Sequence, residues 1–217
     1  MRRLAAALLL AVFAGSLRAE PALDQAVALY RHKEYPAARA ALEKILNAGH
    51  KSAAACYYYG MTLSQGPDTG ALEEAVPWLE QAVTLEPENP TYQGDYGGIC
   101  FEIADRRRSL SYASRGRKAM LRAIALDPND LDAREGLMRF FAEAPWPVGS
   151  ESRAREQAEE IARRNPGRTV STYLVLGRSF EKADNRDAAR EAYRRVLRLE
   201  PGNAAAAAAL GRLPPAR

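Results

Sequence analysis

The chain has 217 residues, 47% of them hydrophobic, with 31 Lys/Arg against 27 Asp/Glu for a net charge of +4. That length suits one ordinary domain or a short solenoid. After the N-terminal run no segment is apolar for long enough to cross a membrane, which excludes an integral membrane protein. The only histidines, His32 and His50, have no metal-ligand partner three or four residues on, which argues against a metal site.

Met1-Arg2-Arg3 precedes an apolar run from Leu4 to Ala14 and then Gly15-Ser16-Leu17-Arg18-Ala19. A basic start, a short apolar core and a small-residue exit predict a secretory signal peptide over residues 1–19. Cleavage is expected after Ala19, with Ser16 the alternative. No cysteine follows the run, so the expectation is a soluble exported protein of the periplasm rather than a lipoprotein. Loss of Arg2, Arg3 and Arg18 leaves 28 basic residues against 27 acids, so the mature charge is +1. Its distribution is uneven. Residues 20–100 hold 5 Lys/Arg and 11 Asp/Glu, and residues 101–217 hold 23 and 16. The export signal and the acids spaced among the arginines argue against nucleic acid as a partner.

From residue 20 onward the apolar pattern predicts pairs of helices. Residues 20–52 carry Ala26, then Tyr35, Ala38, Leu42 and Ile45, with Pro36 suited to the first turn of a second helix. Residues 53–89 carry Gly60, then Ala75, Leu79, Ala82 and Pro87. Residues 90–130 carry Tyr96-Gly97 and Cys100 and end at Ala123 to Pro128, with about seven extra residues placed around Asp105 to Leu110. In residues 131–169, Leu137 and Phe141 precede Ala154, Ala158 and Ile161, and Pro145 to Ser150 lengthen the turn. Leu85-Glu86-Pro87, Leu126-Asp127-Pro128 and Leu199-Glu200-Pro201 end helices, because a residue before proline avoids helical geometry.

The clearest pair, residues 170–203, reads Tyr173, Leu176-Gly177, Phe180, Ala189, Tyr193 and Pro201. These stand at the spacing of a 34-residue helix–turn–helix unit, and residues 20–213 resemble the tetratricopeptide repeat family in a bacterial exported form. The resemblance implies an all-α, right-handed superhelical solenoid of about five repeats, with residues 204–213 as a capping helix and 214–217 as a tail. It implies also that first helices line a concave groove for a protein or peptide. Gly177 is expected where its own second helix crosses closely, near Ala189.

Carried onto this sequence, the family's groove positions fall on Tyr57, Met61, Gly94, Gly98, Phe101, Arg139 and Arg178. Tyr57 would face the groove, with a depression at Gly94 and Gly98, while Tyr58 and Tyr59 read as core or edge residues because successive helical residues point about 100° apart. Where the family clamps a carboxylate with Lys and Asn, this chain has Tyr57 and Met61, so that activity is not implied. Arg106, Arg107, Arg108, Arg115, Arg117 and Lys118 form a basic run, either a solvated face or a dock for an acidic protein or a membrane surface. Trp146, between prolines, is either packed on an edge or an interface anchor. Cys56 and Cys100 fall at different heights on neighbouring first helices, offset by about 10 Å, which predicts free buried thiols. With no nucleophile elbow, phosphate loop or zinc spacing, neither catalysis nor a cofactor is expected. The reading is a binding scaffold, with electrostatic docking through the basic C-terminal half as its alternative.

Overall fold

The structure, a computed structural model, describes residues 21–145 and 148–214. The leader assigned to residues 1–19 and Trp146 lie outside them. Among the described residues the fold is all-α. It divides into two compact units, with the boundary between Gly116 and Arg117.

The N-terminal unit holds α1 (residues 21–31), α2 (Tyr35–Asn47), α3 (Ala53–Leu63), α4 (Thr69–Leu85), α5 (Pro90–Arg107) and the first part of α6 (Leu110–Leu126). Short polar side chains start the helices by accepting an otherwise unmatched backbone N–H. Ser52 accepts from Ala55, Asp68 from Ala71 and Asn89 from Tyr92, each contact stabilising by about 1 kcal/mol. Lys33 and Arg108 close the turns from α1 to α2 and from α5 to α6 in the left-handed region, at φ of 61° and 53°. Ala38, Leu42, Leu72, Ala75, Leu79, Cys100 and Ile103 form the core.

The extra residues of the third helix pair lengthen the helices on either side of the turn at Arg108 and Ser109, so that α5 has 18 residues and α6 has 17. Hydrogen-bonded helix satisfies the added backbone more completely than a loop would. The small residue opposing the Gly97 turn is Gly116, where an added Cβ would lie 2.9 Å from the Gly97 carbonyl oxygen and 2.6 Å from the Phe101 ring.

The C-terminal unit holds the rest of α6, then α7 (Leu131–Glu143), α8 (Glu151–Arg164), a 3-10 turn (Pro166–Arg168), α9 (Thr169–Lys182), α10 (Arg186–Leu199) and α11 (Ala204–Arg212). Asp130, Ser150, Asn185 and Asn203 cap α7, α8, α10 and α11. Tyr193 and Phe180, each 1% exposed, fill the α9–α10 crossing. At Gly177 the nearest neighbour is not a small residue. It is the Tyr193 ring, whose nearest atom stands 2.5 Å from where a Cβ would be. Two arginines are buried by design of their partners. The Arg134 guanidinium donates to the Pro128 carbonyl and to Gln157, and Arg190 donates to Asp187 and to the Pro214 carbonyl beyond α11.

Cys56 and Cys100 are free and fully buried. Burial raises both thiols, that of Cys100 to about 11, so neither is a ready nucleophile at neutral pH.

Candidate functional site

In the N-terminal unit the first helices of successive pairs, α1, α3 and α5, share a row of tyrosines. Tyr30 lies edge-on to Tyr58 at 5.4 Å, Tyr58 edge-on to Tyr57 at 4.9 Å, and Tyr57 is stacked on Tyr92 at 4.4 Å. Tyr35 joins from α2, 5.7 Å from Tyr30. Such ring pairs each add about 0.5–1.5 kcal/mol beyond simple burial.

The row has a buried member and an accessible edge. Tyr57 is only 7% exposed, and its hydroxyl donates to the Asp95 Oδ2 of α5 at 2.5 Å. Burial, reinforced by the Asp95 charge, holds its phenol far above the ordinary value. Tyr57 is therefore a packing residue between α3 and α5, which corrects the expectation that it faces a partner. Tyr30, Tyr58 and Tyr92 are half-buried and keep part of each ring at the surface. Burial, then the Glu86 charge, pushes the Tyr92 phenol up to about 12, so it stays a hydrogen-bond donor at any physiological pH. Tyr59 packs on Trp78 of α4. Met61, Gly94 and Gly98 are half-buried, whereas the Phe101 ring rests on Gly116 of α6.

Half of the basic run is paired within the unit. Arg106 pairs with Glu102 on its own helix. Arg107 makes two bonds of 2.9 Å to Glu73 of α4. Glu80 accepts from both Tyr96, at 2.7 Å, and Arg115, at 2.9 Å. The acids of α4 thus cancel much of the charge that the run displays in the sequence. Arg108, Arg117 and Lys118 are exposed.

The C-terminal unit presents a charged face instead. Arg168 bridges Asp132 and Glu135 of α7, both at 2.9 Å. Near the other end of α7, Glu143 accepts from Ser179 at 2.7 Å and from Lys182 at 2.6 Å, both on α9. Arg139, with 58% of its side chain exposed, stands 3.7 Å from Glu143, and Arg178 is exposed.

The sequence reading missed Tyr30, Tyr92 and Asp95. Tyr58 and Tyr92 stand one family repeat length apart, a periodic signal for two members of the row. Asp95 gives no such signal.

Among the described residues no His, Cys, Asp and Glu cluster is placed to hold a metal ion, and no helix is long and apolar enough to cross a membrane. Paired helices whose first members expose rings in one unit and ion pairs in the other define a helical-repeat protein. Residues 170–203 match the sequence profile of the tetratricopeptide repeat. The chain therefore carries one tetratricopeptide repeat there.

Solved structures share the helical-repeat fold. The crystal structure of MamA superposes with a TM-score of 0.66 at 22% identity, covering 86% of this chain and 93% of that one. YrrB, described as a tetratricopeptide-repeat protein with an unusual peptide-binding site, gives 0.65 at 22% identity, covering 87% and 90%. An O-GlcNAc transferase of Thermobaculum terrenum gives 0.58 at 19% identity, covering 69% of this chain and only 26% of that one. At these identities the likeness is one of fold. No curated protein matches the sequence.

Proposed function

We propose that the chain is a non-catalytic, exported scaffold that binds a protein or peptide along the first-helix face of its repeats. One observation carries the reading. Tyr30, Tyr58 and Tyr92 offer partly exposed rings in a row whose rear is fixed by the Tyr57–Asp95 bond. Rings held in place lose little freedom on binding, and each offers both an apolar face and a hydroxyl. The peptide-binding site named for YrrB supports the same use of the fold. The basic run is the weaker surface because Arg106, Arg107 and Arg115 already serve acids of the same unit.

Export rests on Met1-Arg2-Arg3 and the apolar run after it. Protein isolated from cells is expected to begin between Leu17 and Pro21, as read by N-terminal sequencing. Intact Met1 in soluble cytoplasmic material would remove the periplasm from the proposal.

Binding is tested by affinity capture from an envelope extract, with the captured protein identified by mass spectrometry. Tyr30→Ser with Tyr58→Ser is expected to weaken capture about 30-fold, the scale of losing one strong aromatic anchor. Helical content should be retained. Arg108→Glu, Arg117→Glu and Lys118→Glu together should leave capture unchanged. The reverse pattern, with capture lost steeply in salt, would transfer function to the basic run.

A further inference from the structure

We infer that the first-helix face of the C-terminal unit takes an extended acidic peptide, read by a row of arginines formed by Arg139, Arg178 and Arg212. This rests on the peptide-binding reading above and specifies one class of ligand for a face which that reading leaves general. The three residues stand on α7, α9 and α11. Arg178 and Arg212 are one matched repeat apart, the span of residues 170–203. Arg139 precedes Arg178 by a repeat that the turn between α7 and α8 lengthens. Direct packing of α7 on α9 is fixed by the bonds from Ser179 and Lys182 to Glu143. Arg178 and Arg212 both lie close enough to the Tyr193 phenol to oppose its raised pKa.

The acids on this face are already engaged. Glu143 is taken by Lys182 and Ser179, and Asp132 and Glu135 by Arg168. Glu181 accepts the Tyr193 hydroxyl at 2.7 Å. Among the described residues Arg178 and Arg212 form no ion pair, and both are exposed, while Arg139 has only the 3.7 Å contact to Glu143. The unit as a whole, residues 117–217, carries 19 Lys/Arg against 14 Asp/Glu.

Spacing selects the conformation of the ligand. Packed helices sit about 8–10 Å apart. A polyproline II strand returns to the same face every third residue, after about 9 Å. Carboxylates at every third position of such a strand therefore meet one arginine per helix. A membrane surface fits less well, since the exposed large apolar residues Leu85, Leu110, Leu121 and Leu199 all lie off α7, α9 and α11.

The test uses the mature chain and a fluorescein-labelled peptide of repeated Glu-Pro-Pro, read by fluorescence anisotropy. Two controls have the same length, one with its glutamates in a single block and one with Lys in place of Glu. The spaced acidic peptide is expected to bind about tenfold tighter than the block and to lose affinity steeply with salt. The Lys peptide should not bind. Arg139→Gln, Arg178→Gln and Arg212→Gln combined should remove the binding while the circular dichroism spectrum stays unchanged, because all three side chains are exposed. Equal binding of spaced and blocked peptides, or retention by the triple variant, overturns the inference. So does absence of peptide binding together with cosedimentation on phosphatidylglycerol vesicles that the triple variant loses. The Tyr30→Ser/Tyr58→Ser capture experiment reads the other unit, so this inference can fail while the scaffold proposal stands.

Discussion

Replacing Tyr57 by alanine should lower the unfolding free energy by about 3–5 kcal/mol, the range for truncating a large buried aromatic side chain. The ring is 7% exposed and stacked on Tyr92 at 4.4 Å, and its hydroxyl is the donor bonded to Asp95. Truncation opens a cavity between α3 and α5 and also strips a carboxylate of that donor. Tyr57→Phe separates the two losses. It keeps the ring, removes only the charge-assisted bond, and should cost about 1.5–3 kcal/mol. Urea titrations followed by circular dichroism measure both variants. A midpoint for Tyr57→Ala within error of the parent would show that the ring is no part of the packing. Because Tyr57 is structural, lost binding in this variant would reflect lost folding, and so the half-exposed Tyr30 and Tyr58 carry the functional test.

Gly177→Leu should destabilise by about 3 kcal/mol, the upper end of the overpacking range. Three atoms of the Tyr193 ring stand 2.5, 2.7 and 2.8 Å from the position of the missing Cβ. The ring cannot swing aside cheaply. It is 1% exposed and its hydroxyl is tied to Glu181. A rise in helix propensity of about 1 kcal/mol offsets only part of the clash. Adding Tyr193→Ala should return part of the loss, since the leucine would then enter the space the ring vacates, and the two changes should be strongly non-additive. If Gly177→Leu leaves the denaturation midpoint where it was, the α9–α10 crossing described above is wrong.

Local signals made much of the fold legible. One helix start was marked by Pro36, and helix ends by Leu85-Glu86-Pro87 and its counterparts, because both effects act within a few residues. Partners across helices were harder to read. Gly177 was matched to Ala189 because both are small, yet the atoms nearest to it belong to Tyr193, one turn further on. Side chains on a helix lean toward its N-terminus, so a long ring covers the turn before its own Cα. Tyr57 failed for a related reason. Its helical position fixes a direction, but an acceptor on the next first helix, Asp95, decides whether the phenol turns inward. The partners of the basic run were out of reach as well, since Glu73 and Glu80, which pair with Arg107 and Arg115, lie more than 30 residues away in sequence.

The added length in α5 and α6 has a consequence for how this chain can vary. Against α9 and α10, each of 14 residues, α5 gains four and α6 gains three. Each increment is close to one helical turn of 3.6 residues. A whole turn returns the side chains to nearly their former azimuth, whereas a single inserted residue would rotate every later one by about 100° and carry apolar positions out to solvent. Growth in this hairpin thus comes as about one turn on each arm. The outcome is about 5 Å of added helix on each side, ending near Arg106, Arg107 and Arg108, where length can change without disturbing the phase of the residues before it.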